Sequence, residues 1–233
     1  MKAVESLIGE HQLIARLADA LELYARQTKQ GRPTDATHLA LFAAAFSDFA
    51  ECIHHEKEEN ILLPMLSRHG VRWDDGALPA VRREHRQETY LIDVLRQAGE
   101  RAACWSNEDR RQIVAAAQAL VDFQRNHHAL ESRELFPLVV ARLRPQDLDE
   151  LQQALEKFDR EHEPRRLAAL ERIGALIARY APARGLAMQL VAPDPRQGSE
   201  PRECCLGQDE SSQPDAAFAP EPSRAQSCRR NLA

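Results

Sequence analysis

Two segments of this chain repeat one another 73 residues apart. The first begins at His54 and the second at His127, and both read His-His-x-x-Glu followed by an apolar patch and a proline. A Glu-His pair precedes each segment, with His11 lying 43 residues before His54 and His85 lying 42 residues before His127. The repeat therefore predicts two similar helical hairpins, each with a lone histidine on one arm and a histidine–carboxylate pair on the other.

The spacing of apolar residues predicts that these arms are helices. In the first arm, residues three and four apart form one face: Val4, Leu7, His11, Ile14, Ala18, Leu21 and Ala25. The fourth arm has the same spacing: Ile113, Leu120, Gln124, His127, Glu131, Leu135 and Leu138. This pattern is typical of helices that face their neighbours in a bundle. Since no segment shows a long strand-type alternation, the sequence predicts an all-α fold, an antiparallel up-down four-helix bundle.

Capping residues, glycines and prolines predict where these helices begin and end. We expect them over residues 3–28, 35–68, 77–103 and 107–143, with Thr34 or Asp35 capping the second and Ser106 the fourth. Asp109 follows Ser106 at the position favoured near a helix N-terminus.

The chain continues beyond the predicted bundle. Pro145 and Pro164 suit the first turns of two additional helices that end near residues 163 and 180. The last 50 residues, 184–233, contain six of the 13 prolines and no apolar period, which is typical of a disordered tail. The predicted domains are therefore a bundle over 1–144, a C-terminal helical extension over 145–183 and a disordered tail over 184–233.

Charge and composition limit the classes of partner and compartment. A formal net charge of −5 gives no electrostatic reason to expect nucleic acid or an anionic membrane as a partner. The N-terminus does not resemble an export signal, and no apolar run approaches the roughly 18 residues that span a bilayer. The five cysteines show no Cys-x-x-Cys pair. We therefore expect a cytoplasmic protein with reduced thiols.

Six histidine and carboxylate side chains are predicted to bind metal. A spacing of four residues places a histidine and a glutamate on the same helix face, and antiparallel helices at about 1.5 Å per residue bring the lone histidines to nearly the same level. If these were instead ordinary core residues, several would stay unpaired at roughly 1–3 kcal/mol each. Imidazole and carboxylate without thiolate suit iron or manganese, and also zinc. The predicted ligands are His11, His54, Glu58, His85, His127 and Glu131.

The other histidines are expected to lie outside this site. His55 and His128 are rotated about 100° from the predicted seam, so a surface position is favoured over a supporting role beside the metal. Solvated positions near or beyond the helix ends are expected for His38, His69 and His162.

A ferritin-like alternative depends on a Glu-x-x-His motif in both halves. Glu51 and His54 form this motif in the first half, but Gln124 occupies the matching position in the second. The ferritin-like interpretation is therefore disfavoured.

The complete pattern resembles the hemerythrin-like family, specifically its bacterial His-His-Glu cation-binding branch, over residues 4–143. The resemblance is carried by Glu10-His11, Glu84-His85 and the two His-His-x-x-Glu stretches that end in Leu-Leu-Pro and Leu-Phe-Pro. It implies two iron ions with an oxo or hydroxo bridge, bridged also by Glu58 and Glu131, and an open position that takes O₂, NO or peroxide.

The chain departs from the oxygen-carrying hemerythrins at one position. They have a further histidine one turn after the third-helix ligand, where this chain has Thr89, with Glu88 beside it as a possible substitute. The remaining set of four histidines and two glutamates resembles di-iron proteins linked to repair of iron–sulfur clusters. Those proteins usually carry an N-terminal segment with paired cysteines, whereas this chain enters its bundle almost at once.

The resemblance leaves three functions open. The first is a sensing or stress-response protein that binds O₂ or NO as a small diatomic ligand, with a protein partner acting through the C-terminal extension. The second is an enzyme that reduces NO or peroxide or repairs iron–sulfur clusters, with Glu88 and Tyr24 as candidate acid–base groups. The third is iron storage or buffering.

Overall fold

The computed structural model describes four stretches of the chain: residues 2–32, 34–74, 76–100 and 105–181. Six helices and no strand occur in these stretches. They are α1 (Lys2–Lys29), α2 (Ala36–Arg68), α3 (Ala77–Glu100), α4 (107–142), α5 (Pro145–Glu161) and α6 (Glu163–Tyr180). The predicted all-α fold with two additional C-terminal helices is confirmed, whereas the predicted tail, residues 184–233, lies outside the described residues.

Helices α1 to α4 form the antiparallel bundle. Each packs on its neighbour in the chain, and α4 closes the bundle by packing along α1. The predicted caps are present: Asp35 accepts a hydrogen bond from the backbone N–H of Thr37 at 2.9 Å. Ser106 and Asp109 form a reciprocal capping box, each side chain accepting from the other's backbone N–H.

The two repeated prolines coincide with widened turns in α2 and α4. Proline lacks an N–H and its ring clashes with the carbonyl four residues before it. Just before Pro64, the backbone N–H of Leu63 bonds to the carbonyl of Glu58, five residues back. Before Pro137, Phe136 bonds to Glu131 in the same way. Each of the two candidate bridging carboxylates thus begins a π-helical segment, a feature often found at functional sites.

A polar layer crosses the bundle between two apolar clusters. The cluster at one end includes Leu21, Phe46, Ile92 and Leu120, and the cluster at the other includes Leu7, Leu62, Leu78, Leu135 and Val139. Along every helix of the bundle, the predicted metal-binding residues lie in sequence between members of the two clusters. Burial of apolar surface at both ends holds the helices together. It thereby keeps the polar residues of the four helices at the same level.

The C-terminal helices pack against the bundle. In α6, Ile173, Leu176 and Tyr180 belong to the first apolar cluster, and the ring of Tyr180 meets that of Tyr24 edge-on with centroids 5.3 Å apart. In α5, Leu151 belongs to the second cluster. The two helices therefore add apolar contacts at both ends of the polar layer.

Helix α2 is long and apolar enough, by length and composition alone, to cross a membrane. However, 56% of its most apolar stretch is buried inside the fold. The same helix carries His54 and Glu58, which lie in the polar layer. Its apolar character is therefore that of a central core helix.

One cysteine differs from the expectation of reduced thiols. Cys52 is buried in α2 and is disulfide-bonded, so the expectation is wrong for this residue. The other four cysteines, at positions 104, 204, 205 and 228, lie outside the described residues.

Candidate metal centre

The structure brings the six predicted ligands together in the polar layer. They form two overlapping groups, in each of which one ligand atom per residue lies within 4.8 Å of all the others. The first group is His11, His54, Glu58 and Glu131, and the second is His85, His127, Glu58 and Glu131. All six residues are buried. The two carboxylates belong to both groups, so each of them is placed where it could contact an ion held by either group.

Each shared carboxylate directs one oxygen to each group. For Glu131, Oε2 lies 2.9 Å from Nε2 of His11, whereas Oε1 lies 3.3 Å from Nε2 of His127. For Glu58, Oε1 lies 3.6 Å from Nε2 of His54 and Oε2 lies 3.2 Å from Nε2 of His85. This is the orientation that a carboxylate needs to bridge two ions.

Three of the four candidate imidazoles are oriented by a further carboxylate at Nδ1. Nδ1 of His54 lies 3.0 Å from Oε2 of Glu10, and Nδ1 of His127 lies 2.8 Å from Oε2 of Glu84. In His85 the partner is Glu59, at 2.7 Å. Metal-binding histidines almost always donate their other ring N–H in this way, which directs the free nitrogen to the metal.

These contacts also explain the repeated Glu-His pairs of the sequence. In each pair the histidine belongs to one of the two groups, and the preceding glutamate, Glu10 or Glu84, orients a histidine on another helix. The pairs therefore supply both a candidate ligand and an orienting group from adjacent positions.

A buried lysine connects this site to the C-terminal extension. The Nζ atom of Lys57 pairs with Glu10 and lies 2.6 Å from Oδ1 of Asp159 in α5. Burial raises the pKa of Glu10, but the hydrogen bond with His54 and the ammonium of Lys57 outweigh this and lower it overall. Glu10 is therefore ionised and can hold both partners.

The pKa values of two candidate histidine ligands shift in opposite directions: burial lowers that of His54, whereas for His127 burial is outweighed by the negative charges of Glu131, Glu84 and Glu88 and the pKa rises. Burial lowers the pKa of His54 to about 4, so its imidazole is neutral, as a metal ligand must be, at neutral pH. For Glu131, burial raises the pKa, but the positive charge of His127 and the hydrogen bonds from His11 and His85 hold it well below its usual value. Glu131 is therefore a carboxylate anion.

The six residues fit a pair of metal cations. The Nε2 atoms of His85 and His127 are buried and lack a hydrogen bond of good geometry within the described part of the chain. Buried carboxylates without cations are costly, because charge is poorly solvated in the interior. Two cations would satisfy these nitrogens and neutralise Glu58 and Glu131, and imidazole with carboxylate suits iron, manganese or zinc.

The predicted surface position is wrong for His55. It is fully buried, its ring stacks on His85 with centroids 3.8 Å apart, and its Nε2 lies 3.3 Å from Glu88. His128 is half-buried and stacks on His11 with centroids 4.1 Å apart. The repeat of the His-His pair in both halves was a sequence signal that the second histidines are buried. Helical periodicity alone, however, placed them outside the seam.

The candidate acid–base groups lie at different distances from the centre. Glu88 is buried beside the site and accepts a hydrogen bond from Gln124, but it belongs to neither four-residue group. Tyr24 lies in the apolar cluster and donates to the backbone oxygen of Asp35, so it does not serve the centre. The hydroxyl of Thr89 donates to the backbone oxygen of His85.

The remaining histidines lie outside the two groups. His38 contacts the hydroxyl of Tyr180, and His162 stacks on Phe158 with centroids 4.0 Å apart. His69 is partly exposed near the end of α2. None of the three belongs to a cluster of metal-ligating groups in the described stretches.

Comparison with known proteins agrees with this geometry. A family model described as the hemerythrin HHE cation binding domain matches residues 2–139. No curated protein and no solved structure gives a significant match. The matched span contains all six residues of the two groups and both repeated prolines. The chain therefore belongs to the hemerythrin HHE cation-binding domain family.

Proposed function

We propose that this protein is a non-haem di-iron protein that binds O₂ or NO at a carboxylate-bridged centre and acts in sensing or stress response. The observation that carries the proposal is the pair of overlapping groups that share Glu58 and Glu131. Two iron ions, when bound, supply redox chemistry and open coordination positions for a diatomic ligand. Manganese and zinc also suit the donor set, so metal analysis is part of the test.

The roles of the residues follow from the contacts. His11 and His54 would hold one ion, His85 and His127 would hold the other, and Glu58 and Glu131 would contact both. The orienting carboxylates at Nδ1 hold the imidazoles in place and increase their basicity. The apolar clusters above and below the polar layer limit the access of water. This favours a small uncharged ligand such as O₂ or NO over a charged exogenous ligand.

The connection to α5 supports a sensing role. Asp159 contacts Lys57, Lys57 contacts Glu10, and Glu10 holds His54. A change in the charge or ligation of the centre alters the hydrogen bond between Glu10 and His54. Because Glu10 also pairs with Lys57, the change then reaches the contact between Lys57 and the C-terminal extension. We propose that a protein partner detects the state of the centre through this extension.

The test is anaerobic purification with metal analysis, followed by absorption spectra before and after O₂ and NO. We expect two iron ions per chain and a spectral change with at least one of the gases. The variants His54→Ala and His127→Ala should each lose most of the metal, and His162→Ala should retain it.

Two other outcomes would contradict the binding role. Bound iron whose spectrum neither gas changes would indicate storage or buffering. Catalytic turnover of NO or peroxide by the iron-loaded protein, lost in Glu58→Ala, would indicate an enzyme. Loss of metal in His162→Ala but not in His54→Ala would contradict the site itself.

A further inference from the structure

The second histidines of the two His-His pairs occupy different environments. His55 forms a third compact group with His85 and His127, in which one ligand atom of each residue lies within 4.8 Å of the others. All three are fully buried. His128, its counterpart in the other repeat, is half-buried and belongs to no such group among the described residues.

We propose that His55 is a seventh protein ligand and binds the same ion as His85 and His127. The inference rests on the proposed function, since it requires two ions. This ion then has three histidine ligands, whereas the ion at His11 and His54 has two. The centre is therefore asymmetric.

The position of His55 explains how the centre dispenses with a second ligand from α3. One turn after His85, that helix carries Thr89, whose hydroxyl is bonded to the backbone oxygen of His85 at 3.2 Å. Helix α2 supplies an imidazole instead, from the residue directly after His54. The His55 ring is fixed by stacking on His85, with an interplanar angle of 15°. It also meets the His127 ring edge-on, with centroids 5.5 Å apart.

Glu88 supports His55 and is not itself assigned as the ligand. Its Oε1 accepts from the Gln124 amide, and its Oε2 lies 3.3 Å from Nε2 of His55. Glu88 occurs in none of the metal-competent groups formed by the described residues, whereas His55 does. A carboxylate in contact with a ligating imidazole is the usual supporting arrangement.

Matched substitutions test the assignment. His55→Phe and His128→Phe both keep an aromatic ring for stacking and both remove the ring nitrogens. Each purified, metal-free full chain is titrated anaerobically with Fe²⁺ by calorimetry, and bound iron is measured after dialysis. We expect the wild type and His128→Phe to retain two ions after dialysis, and His55→Phe to retain one. In the titration of His55→Phe, the second ion should bind about tenfold more weakly or worse.

Several results would overturn the assignment. Wild-type affinities for both ions in His55→Phe would exclude His55 as a ligand. Equal loss of the second ion in His128→Phe would show that the bulk of the added ring is responsible. If circular dichroism shows that His55→Phe does not fold, His55→Gln, which is polar and of similar size, is judged by the same criterion. A wild-type chain that binds fewer than two ions would overturn the proposed function and this inference together.

Discussion

The Nζ atom of Lys57 lies 2.6 Å from a carboxylate oxygen of Asp159, in a position where the lysine is only 1% exposed. The same ammonium pairs with Glu10, so one buried cation joins the C-terminal extension to a group that orients His54. A buried charge is stable only while it is paired. The position of α5 and the geometry of the centre are therefore interdependent.

The first prediction concerns this connection. In Asp159→Asn, Lys57 retains Glu10 alone, so Glu10 turns toward the lysine and holds His54 less well. We expect metal affinity to fall by about tenfold and the free energy of unfolding by about 1–3 kcal/mol. Fe²⁺ titration and urea denaturation measure the two effects.

The matched control for this prediction lies on the same helix. Asp149 is exposed, so Asp149→Asn should leave both quantities at wild-type values. Metal affinities that are equal in the two variants would mean that the extension does not communicate with the centre.

The second prediction concerns the orienting carboxylate of the other half. Glu84 accepts from Nδ1 of His127 at 2.8 Å, and removing its charge makes the imidazole a weaker and less fixed ligand. Glu84→Gln should therefore lower the affinity of one of the two ions by about 10–100-fold without loss of helical structure by circular dichroism. Glu100→Gln, at an exposed position of the same helix, serves as the control and should bind both ions normally.

The sequence was sufficient to predict where the polar layer lies. Four-residue spacing and equal depth from the helix ends placed His11, His54, His85 and His127 at one level, and they converge there in the structure. The reason is that the level of a residue in an up-down bundle depends mainly on its distance along the helix, which can be counted. The prediction that these residues bind metal remains to be tested by the experiments above.

The burial of His55 and Lys57 was not predictable from periodicity. A periodic pattern identifies a buried face only when another face is exposed, and eight of the ten residues 46–55 are buried. Helix α2 packs against α1, α3 and α6, so it has little exposed face in this region. Its π-helical segments also shift the angular positions that an ideal α-helix would give.

The third prediction concerns metal removal and stability. A ligand that binds only the folded state stabilises it by mass action, by about 2.7 kcal/mol for one site at a hundredfold excess over the dissociation constant. The metal-free chain should therefore unfold at a lower urea concentration than the loaded chain, and added Fe²⁺ should restore the difference. In Glu58→Ala the difference between the metal-free and metal-treated samples should vanish, and a persistent difference would place the stabilising ion elsewhere.

The last prediction concerns the acid side of the stability profile. The side chain and backbone N–H of Arg144 donate to Asp147 at the start of α5, which lowers the pKa of this carboxyl from 3.8 to about 2. Since the pKa is lower in the folded state, the carboxylate stabilises the fold fully above about pH 4 and loses this effect as the pH falls to about 2. Asp147→Asn should therefore destabilise the metal-free protein at pH 7.

The pH profile separates this effect from a general loss of packing. The difference in the free energy of unfolding between wild type and Asp147→Asn should shrink as the pH falls from 4 to 2, because the wild-type carboxyl becomes neutral there. Urea denaturation of chelator-treated protein across this range measures it, with Asp149→Asn as the matched exposed control. A difference that stays constant with pH would mean that the ionised carboxylate of Asp147 does not contribute through its contacts with Arg144.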